Sequence, residues 1–236
     1  DLIRLKEGLP LYRRVCLGQN PGQVMILENG LKMTVDLGGQ KTGYFLDQKA
    51  NHAALRPYAA GKTVLDCFCY SGGFALNAAL AGAAHVTAVD QSDAAIRLAR
   101  ANAQLNGLQD EIDWITANAF DYLRQAVASH LTFDVIVLDP PAFAKNHAAI
   151  KAAVRGYKEI NLSALRLLSP GGILATHSCS FHMSGDLLLE TVLEAARDAH
   201  KQVRIIDVRR QDFDHPVLGG YPESHYLKSI WLQVLD

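Results

Sequence analysis

The chain has 236 residues, with 23 Lys+Arg against 24 Asp+Glu for a net charge of −1, and 49% of its residues are hydrophobic and 20% charged. That balance suits one sizeable α/β core with a small appendage; it excludes a long disordered tract and a domain that grips nucleic acid by bulk positive charge, so any RNA contact is local or shared. The apolar runs at 135–138 and 172–175 break within a few residues, far short of the roughly 20 that a membrane helix needs, and no signal-peptide pattern is present, which reads as a cytoplasmic protein with no membrane partner.

The chain opens at Asp1 without an initiator methionine and runs at once into folded-looking sequence, which raises the expectation of a missing N-terminal domain. Residues Val24 to Leu37 alternate apolar and polar around Asn29-Gly30, a dipeptide suited to positive φ at both centres of a tight turn, and predict a β-hairpin. Residues 1–46 read as a β-rich linker segment and 47–236 as the main domain. Thr42 to Asp47 leads into a helical stretch, Gln48 to Tyr58, expected to end near Pro57.

From Thr63 short apolar runs alternate with amphipathic stretches, the pattern of βαβ units on a mostly parallel sheet. Strands are predicted near 63–67, 85–89, 112–116, 134–138, 172–178, 203–208 and 228–235. Helices are predicted near 74–82, 92–106, 119–128, 151–168 and 184–200, with Ser92 as an N-cap and Gly107 as a helix-ending C′ residue. The four cysteines, Cys16, Cys67, Cys69 and Cys179, never stand as C-x-x-C, and the nine histidines form no H-x-x-x-H pair or mixed cluster, so neither a disulfide framework nor a metal is expected.

The first core strand ends at Asp66 and is followed by Cys-Phe-Cys-Tyr-Ser-Gly-Gly-Phe and an Ala-rich helix, which places a glycine turn at a helix N-terminus, where nucleotides bind. G-x-G-x-x-G spacing is absent, so a cofactor without pyrophosphate fits better. S-adenosylmethionine is such a molecule: it needs an anion near its ammonium, close backbone approach at Gly72 and Gly73, and an acid for its ribose. Asp90, ending the second strand about 20 residues beyond the turn, supplies that acid, although alone it could simply cap the next helix. Asn118-Ala119-Phe120 offers an amide and an aromatic wall to an adenine, and Asn118 could equally be an N-cap. Phe68, Tyr70, Ser71, Phe74, Gln91 and Asp139 complete the expected cofactor contacts.

The fourth core strand delivers Asp139-Pro140-Pro141-Ala142-Phe143 at its C-terminal end, a ledge stiffened by two prolines, with Asp139 able to bind a base and Phe143 able to stack on one. The fifth ends in His177-Ser178-Cys179-Ser180. An isolated cysteine is more often packing than chemistry. Cys179 differs by position, because methylating carbon 5 of a pyrimidine requires a nucleophile at carbon 6 and a thiolate suits that addition. Cys67 and Cys69 read as packing residues, and Cys16 lies outside the core.

The residues now on the page resemble the bacterial ribosomal large-subunit methyltransferase I type of RNA cytosine-5 methyltransferase. The likeness spans nearly the whole chain and rests on Glu7-Gly8-Leu9-Pro10, Lys41-Thr42-Gly43-Tyr44-Phe45-Leu46-Asp47-Gln48-Lys49, the turn from Asp66 to Phe74, the ledge, Arg155-Gly156-Tyr157-Lys158-Glu159-Ile160-Asn161, Ser178-Cys179-Ser180, His215-Pro216 and Tyr221-Pro222-Glu223. It implies a class I methyltransferase (Rossmann-like) fold whose sheet runs 3-2-1-4-5-7-6 with an antiparallel last strand, preceded by a β-rich linker and a PUA domain that helps hold RNA. It further implies Cys179 as nucleophile, Asp139 as the residue that orients or protonates the base, Asp66, Ser71, Gly72, Asp90 and Lys49 as cofactor contacts, ribosomal RNA as partner, and a homodimer whose surfaces the sequence does not mark. Two departures stand out: Lys49 replaces the more usual arginine, and Asn118 replaces an acid. Arg155, Tyr157 and Lys158 are expected to meet phosphate or a flipped-out base, against the plainer reading of a solvated helix face.

Two other functions stay open on the sequence. An acid-Pro-Pro-aromatic ledge also serves methylation of a guanine nitrogen, which needs no cysteine, and the fold could persist as a non-catalytic RNA-binding scaffold.

Overall fold

The computed structural model describes residues 2–11, 14–19, 21–38, 43–144 and 146–236. Lys41 and Thr42 of the Lys41–Lys49 motif therefore lie outside the described residues. A short helix, α1 (Leu2–Lys6), opens the chain and had no signal in the hydrophobic pattern. The hairpin β1 (Gln23–Glu28) and β2 (Leu31–Asp36) turns on Asn29 and Gly30 at φ 51° and 86°, as the dipeptide predicts. Leu31, Met33 and Val35 face inward and join the same core as the main sheet.

After a 3₁₀ turn at Leu46–Gln48, α2 (Lys49–Ala59) runs two residues past Pro57. The expected stop there is corrected: the proline falls in the last turn, where its missing N–H costs one bond, and burial of Leu55 and Ala59 outweighs that loss.

The main sheet is built from β3 (Thr63–Cys67), β4 (His85–Asp90), β5 (Ile112–Thr116), β6 (Phe133–Leu138), β7 (Leu168–Ser178), β8 (Val203–Arg209) and β9 (Lys228–Val234). Its helices are α3 (Gly73–Leu80), α4 (Asp93–Leu105), α5 (Ala119–Ala128), α6 (Ile150–Leu167) and α7 (Gly185–Asp198). The spatial order is β5-β4-β3-β6-β7-β9-β8, which counted along the sheet alone is 3-2-1-4-5-7-6, and β9 runs antiparallel to both neighbours. The fold is the α/β, class I methyltransferase (Rossmann-like) arrangement. Strand interiors such as Val135 to Leu138 are apolar on both faces because helices cover both sides of a parallel sheet. Among the described residues no helix is long and apolar enough to cross a membrane.

The caps of α4 form as its sequence indicates: Ser92 Oγ accepts from Ala95 N at 3.2 Å, while Gly107 sits at φ 69° and lets Leu108 N reach Ala103 O at 2.9 Å. β7 begins four residues earlier than the apolar run suggests. Leu168 pairs with Phe133 before Pro170-Gly171-Gly172 breaks the register, and pairing resumes at Val135 with Ile173.

Candidate active site

The turn between β3 and α3 is built on alternating left-handed residues: Phe68, Tyr70 and Gly72 have φ of 67°, 46° and 90°. Two of these are aromatic residues that pay for that conformation, a pattern found where a backbone is held for function. The holding groups come from β4. Val89 O accepts from Phe68 N and Cys69 N at 2.8 and 3.1 Å, and Asp90 Oδ2 accepts from Tyr70 N at 3.0 Å while its Oδ1 accepts from Ser92 N at 2.8 Å. Asp90 thus fixes the turn and still lines the cavity that opens above it.

That cavity is bounded by the turn residues Phe68, Tyr70, Ser71 and Phe74, by Asp90 and Gln91, and by Asp139, Pro140, Pro141 and Cys179 across the sheet ends. The two halves of the expected site, the cofactor turn and the ledge with its cysteine, therefore meet in one space. Tyr44, Phe45, Gln48 and His52 close it from the segment leading into and forming α2. None of these four was expected at the site, although Tyr44, Phe45 and Gln48 stand in the Lys41–Lys49 motif of the resemblance, which was the available signal. His52 Nδ1 donates to Glu28 Oε1 at 2.7 Å with both side chains buried, and the His52 ring stands edge-on to Phe74 at 4.5 Å. Burial and the Glu28 carboxylate push the Tyr44 phenol well above its ordinary value.

A second cavity, lined by Tyr44, Leu46, Asp47, Ala142, Cys179, His215 and Tyr226, adjoins the first and shares Tyr44, Asp47 and Cys179 with it. Tyr226 Oη donates to Asp47 Oδ2 at 2.8 Å. Cys179 is half-buried on the wall between the two spaces. The turn that carries it is stapled from α6: Tyr157 Oη donates to Ser178 Oγ at 2.8 Å and lies 3.3 Å from Ser180 Oγ, while Ser180 Oγ accepts from Ala144 N at 3.3 Å. Lys228 Nζ donates to Ser180 O and Tyr226 O at 2.8 and 3.1 Å.

Several sequence expectations need correction. Tyr157 is fully buried, its phenol pushed up to about 12 by burial, so it braces the cysteine turn and cannot meet RNA. Lys158 is paired with Glu194 at 3.3 Å and Asp198 at 2.9 Å on α7, a structural ion pair on the helix flank. Arg155 is exposed. Lys49 does not line the cavity; it pairs with Asp214 at 2.6 Å and Asp212 at 3.6 Å and lies over the Phe213 ring at 5.5 Å, tying the start of α2 to the loop after β8. Asn118 is the N-cap of α5, its Oδ1 accepting from Phe120 N at 2.9 Å, which engages the oxygen reserved for an adenine.

Ala119 is buried under that cap and outside the cavity lining. Phe120 stands 6.4 Å from Phe68 and 5.8 Å from Phe143, extending the aromatic wall behind the cavity. Phe143 itself packs on Tyr157 at 4.7 Å, so the ring expected to stack on a base instead buttresses α6.

Asp66 and the glycines also work one layer back. Asp66 is fully buried, its Oδ2 accepting from Ala75 N at 3.0 Å, and burial raises its carboxyl to about 8. A Cβ on Gly72 would stand 2.8 Å from Trp114 Cη2, and one on Gly73 would strike the His52 ring. Gly73 thus makes room for a side chain that lines the cavity, and Gly72 for one packed behind it. The thiols of Cys67 and Cys69 are pushed well up by burial, in keeping with packing, though Cys69 also reaches the cavity wall. Among the described residues no group of three or more His, Cys, Asp or Glu side chains is arranged to hold a metal.

The model of the S-adenosylmethionine-dependent methyltransferase family matches residues 16–216. A protein of Shewanella denitrificans named ribosomal RNA large subunit methyltransferase I is 46% identical over 98% of this chain and 59% of its own length. The solved structure of "a putative sam-dependent methyltransferase from Streptococcus mutans" superposes with a TM-score of 0.82 at 30% identity, covering 95% of this chain and 57% of that one. A second, described as a "putative methyltransferase complexed with SAH", gives a TM-score of 0.79 at 30% identity, covering 95% and 58%. The chain spans about three-fifths of the length of the curated relatives it matches.

Proposed function

This chain belongs to the S-adenosylmethionine-dependent methyltransferases, and we propose that it methylates carbon 5 of a cytosine in large-subunit ribosomal RNA through a covalent adduct to Cys179. The single observation that carries the reading is the position of Cys179 on the wall shared by two adjoining cavities, one suited to the cofactor and one to a base. The name of the Shewanella relative supports the choice of ribosomal RNA.

The residues fit S-adenosylmethionine. Asp90 presents a carboxylate for ribose hydroxyls, Phe68 and Phe74 give apolar walls, and the left-handed backbone at Phe68 and Tyr70 brings the turn to the cavity edge. Gly73 leaves room for the His52 ring that closes the far end. When bound, the cofactor supplies a methyl group on a positively charged sulfur, which carbon 5 takes up.

The protein's own part is to make carbon 5 nucleophilic. The Cys179 thiolate adds to carbon 6, the carbon 5–carbon 6 double bond opens, and its electrons become available at carbon 5. Asp139, at the end of β6, steadies the base by accepting from its exocyclic amino group. After methylation carbon 5 gives up its proton to water, the electrons of that C–H bond re-form the double bond, and the carbon 6–sulfur bond breaks so that Cys179 leaves as the thiolate. The base must be out of its stack to enter, which favours a loop or unfolded RNA over a mature helix. Arg155, exposed on α6, is the side chain proposed to meet phosphate. The length by which the relatives exceed this chain leaves room for the PUA domain of the resemblance, which would share the hold on RNA.

The test is product analysis. Unmethylated large-subunit ribosomal RNA is incubated with the protein and S-adenosylmethionine, then digested to nucleosides and analysed by mass spectrometry. 5-Methylcytidine is expected; an N-methylguanosine in its place would transfer the reading to nitrogen methylation.

A further inference from the structure

We propose that Lys228 is the positioning residue that holds Cys179 as a thiolate, by setting a buried ammonium against the turn that carries the sulfur. The inference rests on the reading of Cys179 as nucleophile and adds the group that prepares it.

Lys228 opens β9 directly opposite Ser178 in the β7 ladder, and the residue is only 7% exposed. Its ammonium donates to the carbonyl of Ser180, the residue after Cys179, at 2.8 Å, and to that of Tyr226, two residues before Lys228 itself, at 3.1 Å. Lysines are seldom buried without a counter-charge, because two carbonyl dipoles do not replace full hydration of an ammonium. Among the described residues no carboxylate lies within ion-pair distance of Lys228. The nearby group able to carry a negative charge in this turn is the sulfur. Burial draws the Lys228 ammonium below its ordinary value, while the charge on Cys179 pushes it back up. Such an interaction is mutual, so an ammonium stabilised by a thiolate stabilises that thiolate equally.

Among the described residues, the other groups that line these cavities with Cys179 do not supply this charge. Asp139 lines the first cavity and Asp47 both, and each, when ionised, disfavours a second anion. The phenols of Tyr157 and Tyr226 are both driven upward by burial and stay neutral, and His215 stands on the rim of the second cavity. Lys228 therefore opposes two carboxylates. In the preparatory step the Cys179 S–H bond breaks, the proton goes to water and sulfur keeps the electron pair. Lys228 remains an ammonium throughout and takes no proton from the thiol.

The experiment follows alkylation of Cys179 by iodoacetamide against pH, read on the Cys179 peptide by mass spectrometry in a Cys16→Ser background that removes the exposed thiol. The wild-type midpoint is expected below the roughly 8.5 of a free cysteine. Lys228→Met should move the midpoint up and slow alkylation at neutral pH about tenfold or more, while Lys228→Arg should stay near wild type. Coincident curves for wild type and Lys228→Met overturn the proposal. So does a wild-type midpoint at or above the free-thiol value, a result that needs no folded variant. Alkylation requires neither RNA nor cofactor, so the outcomes separate. A Lys228-dependent curve without 5-methylcytidine would overturn the carbon-5 reading alone, and 5-methylcytidine with coincident curves would overturn the role of Lys228 alone.

Discussion

Tyr157 Oη donates to Ser178 Oγ at 2.8 Å, a bond between the middle of α6 and the residue just before Cys179. Tyr157 is fully buried, so the turn that carries Cys179 is positioned by a helix the solvent never sees at that point. Tyr157→Phe would strip the turn of this bond and leave two buried serine hydroxyls short of a partner, at a cost of about 1–3 kcal/mol. Methylation should slow while cofactor affinity, set by the β3–α3 turn, stays within about twofold. Isothermal titration and single-turnover rates check the two halves; equal losses in both would show that Tyr157 supports the whole site.

Asp66 makes stability depend on pH. Its carboxyl rises from about 4 when unfolded to about 8 in the fold, so between those values the folded state holds a proton that the unfolded state has lost. Stability should therefore fall as pH rises through that window and level off above about 8. Asp66→Asn retains an acceptor for Ala75 N and should flatten this contribution. Thermal melts of both proteins from acid to mildly alkaline pH give the comparison, and parallel curves would contradict the assignment.

His177 acts in the opposite sense. It is fully buried between Phe74 and Trp231, and burial lowers its imidazole to about 3. The unfolded chain takes up a proton near pH 6.5 that the fold refuses, so stability is lost as pH falls from there toward 3. His177→Met, which fills similar space without a titrating group, should reduce that acid sensitivity in denaturant unfolding followed across pH.

Gly73→Ala should damage cofactor binding more than any surface change. The added methyl meets the His52 ring, which is pinned by Glu28 and cannot retreat freely. A loss of about 1–3 kcal/mol in stability is expected from the overpacking, with affinity for S-adenosylmethionine reduced at least about tenfold. Calorimetry on the folded variant measures it; unchanged affinity would remove the His52 wall from the cofactor cavity.

Lys49→Ala tests a correction. Because the Lys49 ammonium is engaged by Asp214 and Asp212, cofactor affinity should change by less than about threefold, and a larger fall would restore the direct contact expected from the sequence.

These cases show what a linear reading sees. Strand ends and turns were legible because hydrophobic period, Ser92, Gly107 and Asn29-Gly30 are local signals, and they sufficed to bring Asp90, Asp139 and Cys179 to one edge of the sheet. What failed was the direction of side chains on α6 and at helix ends. Tyr157 sits in a motif with charged neighbours and was expected to share their exposure, but the helix turns it inward while Arg155 stays out. Asn118 could serve an adenine or a helix N-terminus, and the free N–H groups of α5 claimed it. Asp47 and Tyr226 meet across 179 positions of chain, and Lys228 and Ser180 across 48, contacts that no sequence period records.

The most direct measurement on the central claim is covalent trapping. Large-subunit ribosomal RNA carrying 5-fluorocytidine is incubated with S-adenosylmethionine and either wild type or Cys179→Ala, and the products are run under denaturing conditions. Fluorine at carbon 5 blocks the final proton loss, so a protein–RNA adduct should accumulate with wild type and be absent with Cys179→Ala. Methyl transfer to unmodified RNA by Cys179→Ala, with no adduct from wild type, would contradict the cysteine mechanism.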